Sequence, residues 1–127
     1  MPDRHVFEYA VIRVVPRMER EEFLNVGVVL FCKSRRYLDC RYLVDQEKLA
    51  AVFPQLDLED VEAHLQSFER ICRAAKEGGP IALLDTPSRF RWLTATRSTV
   101  VQAGKVHTGL CEELPASLDK LYAQLVL

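Results

Sequence analysis

The segment Leu24–Cys32, LNVGVVLFC, constrains this chain more than any other. Its even positions, Leu24, Val26, Val28, Leu30 and Cys32, are all apolar. An apolar residue at every second place is the pattern of a central strand with a buried face. The odd positions from Phe23 to Phe31 are also mostly apolar, but Asn25 and Gly27 interrupt them. A polar side chain and a missing side chain inside a buried strand call for a physical reason, such as a hydrogen-bonding duty or the close approach of another backbone or a ligand.

The rest of the chain supplies what such a strand needs. Val6 to Val15 is rich in β-branched and aromatic residues and reads as a first strand ended by Pro16. Lys33-Ser34-Arg35-Arg36 lies between two apolar alternations and predicts a hairpin into a third strand, Tyr37 to Val44, with Leu38, Cys40, Tyr42 and Val44 on its apolar face. Asp45 is placed to cap a short helix, Gln46 to Val52, that ends before Pro54. Asp57 is placed to cap the longest helix, Leu58 to Glu77, with Val61, Leu65, Phe68, Cys72 and Ala75 on one stripe and Gly78-Gly79-Pro80 as its stop. Asp85-Thr86-Pro87 opens a brief helix containing Phe90, Trp92 and Leu93. Ser98 to Gln102 reads as a fourth strand beside the first, Ala103-Gly104-Lys105 as a turn, and Pro115 as the start of a last helix with Leu118, Leu121, Tyr122 and Leu125 on one face.

Strands first, then helices, then a strand and a helix predict an α+β, two-layer domain: a mainly antiparallel sheet of about four strands covered by helices on one face. A length of 127 residues suits one domain over 1–127. No apolar run approaches the roughly 18 residues of a membrane span. The N-terminus lacks an export pattern, so a cytoplasmic location with reduced thiols is expected for Cys32, Cys40, Cys72 and Cys111. Cys32 and Cys40 flank the predicted hairpin, and neither they nor the histidines have zinc-like spacing, so no metal or cofactor is expected.

Function is less legible. The net charge of −1 argues against a generic polyanion binder, yet 86–110 carries Arg89, Arg91, Arg97 and Lys105 with no acid. Arginine forks, hydroxyls and an imidazole are donors suited to phosphate or carboxylate, so Arg91, Arg97, Ser98, Thr99, Lys105, His107 and Thr108, joined by Asn25 from the central strand, form a candidate anion-binding group. The bland alternative is that Arg97 and Ser98 finish a helix, His107 bonds nearby backbone and Asn25 stitches a loop to the sheet. His107 and Cys111 invite a nucleophile–base reading, but Gly109 between them disfavours a helical i,i+4 geometry and no third orienting group is evident. Phosphate-loop, dinucleotide and kinase motifs are absent.

Several phrases together carry a resemblance. F-x-N-x-G-V-x-L at Phe23–Leu30, R-S-T-x-x-Q at Arg97–Gln102, V-H-T-G at Val106–Gly109, Tyr9-Ala10-Val11-Ile12-Arg13 and Phe90-Arg91-Trp92-Leu93 resemble the bacterial domain-of-unknown-function 3037 family over nearly the whole chain. The resemblance implies no particular reaction. It implies association with a HipA-like kinase of the toxin–antitoxin type, because family members are often encoded beside one. The leading expectation is therefore a non-catalytic accessory or regulatory module that binds a protein partner. Anion or nucleic-acid binding through the Arg97/His107 group is the alternative, and a small enzyme at the same group is the third reading.

Overall fold

A computed structural model describes residues 4–17, 20–95 and 99–127. The first three strands, β1 (His5–Val14), β2 (Leu24–Cys32) and β3 (Tyr37–Tyr42), form an antiparallel meander with β2 in the middle. The polar turn 33–36 joins β2 to β3 as predicted, with Arg36 in the left-handed region and its N–H bonded to the Lys33 carbonyl at 3.2 Å. The other side of β1 is occupied twice along its length. β4 (Val101–Ala103) pairs with its C-terminal end and β5 (His107–Cys111) with its N-terminal end, both antiparallel. The fold is α+β with an antiparallel five-stranded sheet in the order β3-β2-β1-β4, and β5 also on β1.

Ala103-Gly104-Lys105 is not the turn that the sequence suggests. Ile12 faces Ala103 while Tyr9 faces His107, so 101–111 runs along one edge of β1 and carries one residue too many between β4 and β5. The Gly104 N–H still bonds the Val11 carbonyl at 2.7 Å, which keeps the surplus to a local bulge.

A second bulge sits in the central strand. Ile12 pairs with Gly27 but Arg13 pairs with Asn25, leaving Val26 as the extra residue. The bulge changes which face each side chain takes. Leu24 and Val26 lie with Val29 and Phe31 in one core, whereas Val28, Leu30 and Cys32 lie in another. The single apolar face expected from even numbering is thus divided between the two sides of the sheet.

The layering differs from expectation for the same reason. Since β2 is apolar on both faces, both need covers. α1 (Gln46–Val52), α2 (Leu58–Cys72) and α3 (Thr86–Thr94) close one side through Leu49, Val61, Leu65, Phe68, Phe90 and Leu93. α4 (Leu114–Leu125) closes the other through Leu114 and Leu118 over Phe7, Val28, Leu30 and Cys32. Helices therefore lie on two faces, not one.

The helix starts follow the predicted caps: Asp45 accepts from the Lys48 N–H, Asp57 from Glu59 and Asp60, and Asp85 from Ser88. The end of α2 does not follow prediction. The helix stops at Cys72, well before Gly78-Gly79. Ala74 takes a left-handed φ of 54°, and the Ala75 N–H reaches back to the Arg70 carbonyl at 2.9 Å, a Schellman closure built on alanine. Arg89 of α3 fixes that end. Its Nη1 donates to the Ile71 and Cys72 carbonyls at 2.9 and 2.7 Å, its Nε to Leu84 at 3.1 Å and its Nη2 to the Thr86 hydroxyl at 3.1 Å. A buried guanidinium at the negative end of a helix dipole is compensated by carbonyls, without an acid. Ile81 to Leu84 falls mostly in a short 3-10 turn, Pro80–Leu83.

Candidate functional site

Among the described residues, the members of the predicted group are not brought together in one pocket. Arg91 is exposed on α3, on the side of the sheet covered by α1–α3. Asn25 faces the α4 side, where its Nδ2 donates to the Leu125 carbonyl at 3.2 Å. His107 and Thr108 are adjacent on β5 and so point to opposite faces; both are exposed. Thr99 donates its hydroxyl to the Val101 carbonyl at 2.7 Å, and Lys105 is exposed at the β4–β5 bulge. Arg97 and Ser98 lie outside the described residues.

What does converge is a cross-strand row the sequence did not single out. Arg13 on β1 stands directly between Asn25 on β2 and Gln102 on β4, at the bulged end of the sheet. The Phe23 ring covers the Arg13 guanidinium with its centroid 4.1 Å from Cζ, and the backbone of Gly104 lies against the same group. Gln102 donates to the Thr99 carbonyl at 2.8 Å. Two atoms in this row are buried without a hydrogen-bond partner: Arg13 Nε and Asn25 Oδ1. One donates and the other accepts, so a water or an amide between them would satisfy both. His107 shares this face. Its ring is 5.4 Å from Tyr9, four residues along β1 from Arg13, which is about 13 Å of strand. The available signal was an arginine on the same alternation as Phe7, Tyr9 and Val11 in the first strand.

A protein-family model, described as a protein of unknown function (DUF3037), matches residues 9–126. The chain belongs to the DUF3037 family. No match to it was found among curated proteins or among solved structures. Three of the phrases that carried the resemblance each place a residue in the row just described: Arg13, Asn25 and Gln102. Among the described residues of this DUF3037 chain, no three metal-ligating side chains cluster, and no helix is long and apolar enough to cross a membrane.

The thiols are structural in their surroundings. Cys32, Cys40 and Cys72 are buried, and Cys111 is half-buried; all four are free. Cys32 faces Tyr37 across the hairpin and Cys40 faces Val29, so Cys32 and Cys40 project to opposite faces and do not meet. Burial, reinforced by the neighbouring Cys40 thiol, pushes the Cys72 thiol well above its ordinary range. Brief alkylation with iodoacetamide at neutral pH is therefore expected to label Cys111 first and to leave Cys72 unmodified until the protein unfolds. Peptide mass spectrometry reads the order; Cys72 labelling as fast as Cys111 would contradict the packing.

Proposed function

We propose that this chain is a non-catalytic protein-interaction module that receives an extended partner segment along the outer edge of β5. The observation that carries the reading is the state of that edge. Among the described residues no strand pairs with β5 beyond β1, and the cross-strand pair Val6 and Leu110 beside it is 63% and 62% exposed. The opposite edge, β3, is guarded. Asp39 meets Arg73 at 3.5 Å, Arg41 pairs with Asp119, and the Tyr42 hydroxyl donates to Glu69 at 3.3 Å, tying the strand to α2 and α4. Proteins commonly blunt a sheet edge with charge, and 107–111 has none. Strand addition to such an edge uses main-chain hydrogen bonds for affinity and alternate side chains for selectivity. A HipA-like kinase is the first partner to test, on the strength of the family resemblance, and a bacterial cytoplasmic setting goes with it.

Less supports the anion- or nucleic-acid-binding alternative: the net charge is −1, and Arg91 is on a different layer from Asn25. The outward-facing groups of β5 give a specific test. The Val15 N–H bonds the Val100 carbonyl and the Gly104 N–H the Val11 carbonyl, so odd residues of β1 turn their backbone toward β4 and β5. In the observed register the backbones of His107, Gly109 and Cys111 then face β1, and those of Thr108 and Leu110 face outward. Thr108→Pro removes an outward donor without breaking a bond to β1. It is expected to lower capture of a co-expressed HipA-like kinase at least about tenfold, the effect of losing one main-chain bond from a short interface. Undiminished capture by Thr108→Pro, in a variant that remains folded, would remove the edge from the reading.

A further inference from the structure

We propose that, in the absence of another partner, the strand that occupies the β5 edge is β5 of a second copy, giving a two-fold dimer with one continuous sheet. The proposal rests on the strand-addition reading and names an occupant for that same edge. An antiparallel self-pairing centred on Gly109 sets Thr108 of one copy opposite Leu110 of the other, twice. These are the two residues of β5 whose N–H and C=O groups face outward, so each pair exchanges two main-chain hydrogen bonds. Gly109 falls on the axis, at a narrow pair, where the absence of a side chain allows close approach. Its own inner face is already filled: a Cβ there would stand 2.5 Å from Phe7 Cζ.

The side chains agree with this register. Leu110 and its symmetry mate become diagonal neighbours on one face, and each lies beside a Val6 across β1, so four exposed apolar side chains join into one strip. Charge falls outside the apolar strip. Lys105, exposed at one end of the edge, comes opposite Glu113 of the second copy, and Val106 comes opposite Glu112. The same cation–anion match recurs at the other end by symmetry, as an isologous interface requires. A one-residue slip in either direction moves Gly109 off the axis and Lys105 away from Glu113. Glu113 makes no side-chain cap bond to α4, so its carboxylate is available for this contact.

The edge is short, which places the dimer among weak, small interfaces with a dissociation constant of roughly 1–100 µM. Sedimentation velocity of the purified full chain across that range is expected to show a concentration-dependent monomer–dimer equilibrium. Thr108→Pro and, independently, Leu110→Lys should shift it to monomer at least about tenfold in Kd. Lys105→Glu should weaken the dimer in a salt-sensitive way, and adding Glu113→Lys to that variant should restore it, since the pair is then reversed in sign. A wild-type chain that stays monomeric up to about 1 mM, far above the expected constant, overturns the proposal. So does a dimer that survives both edge variants with its Kd unchanged. A monomeric wild type whose Thr108→Pro variant still loses kinase capture overturns self-pairing and leaves the strand-addition reading standing; a wild-type dimer that Thr108→Pro dissociates while capture is undiminished supports self-pairing and removes the partner reading; loss of both in that variant supports both.

Discussion

Arg89→Met is expected to cost about 3–5 kcal/mol of folding stability, because it removes the buried cation and its donors to the last carbonyls of α2 while leaving those carbonyls buried. The guanidinium, 8% exposed, serves the carbonyls of Ile71, Cys72 and Leu84 and the hydroxyl of Thr86. Methionine matches the length of the stem, so packing is largely kept and the loss reports the hydrogen bonds. The Ile71 and Cys72 carbonyls sit where the negative end of the α2 dipole is concentrated, and the cation that offset it is gone. In urea, with a slope of about 1–3 kcal/mol per molar, the unfolding midpoint should fall by roughly 2 M. Arg91→Met, two positions along the same helix but exposed, should stay within about 0.5 kcal/mol of wild type. Equal small losses in the two variants would show that α2 ends without the help of Arg89.

That contrast also shows where sequence reasoning stops. Both arginines lie in the same basic stretch, and the sequence points to Arg91 as a ligand-binding candidate while Arg89 is the one folded into the interior. Nothing in the local pattern separates them; the difference is made by the carbonyls of Ile71 and Cys72, seventeen and more residues away. Signals carried by neighbouring residues were legible. The three aspartate caps, the β2–β3 hairpin and the α+β class with its antiparallel sheet follow from side-chain chemistry within a few positions. Features set by long-range fit were not. Gly78-Gly79 looks like the stop of α2, but the chain turns earlier, at Ala74, because α3 presents Arg89 there. Asn25 stood out as anomalous, yet its neighbour in the sheet, Arg13, could be found only once the bulge at Val26 fixed the register. His107 stands apart from Asn25 because the chain does not turn back at Gly104: 101–111 continues along one edge of β1, so His107 faces Tyr9, four residues from Arg13.

Gly27→Ala is expected to cost about 2–3 kcal/mol for the addition of a single carbon to the central strand. The added Cβ would stand 2.5 Å from the Arg41 carbonyl oxygen and 2.7 Å from Tyr42 Cβ, and neither is the free end of a flexible side chain. Relief requires β3 to move away from β2, yet β3 is held there by the ladder from Gly27–Tyr42 to Cys32–Tyr37 and by its ion pairs to α2 and α4. The strain falls at the bulge that divides the apolar side chains of β2 between the two cores, so any shift is felt on both faces. Thermal unfolding monitored by circular dichroism should show a fall in Tm of roughly 6–12 °C for a domain of this size. Gly104→Ala tests whether the penalty comes from backbone proximity. There the nearest atoms belong to the Arg13 guanidinium at 3.0 Å, the end of a long side chain, so a smaller loss of about 1 kcal/mol is expected. A Gly27→Ala protein as stable as wild type would mean that β2 and β3 do not approach as closely as this register demands. The account of the bulge, and of why helices cover both faces of the sheet, would then need a different pairing.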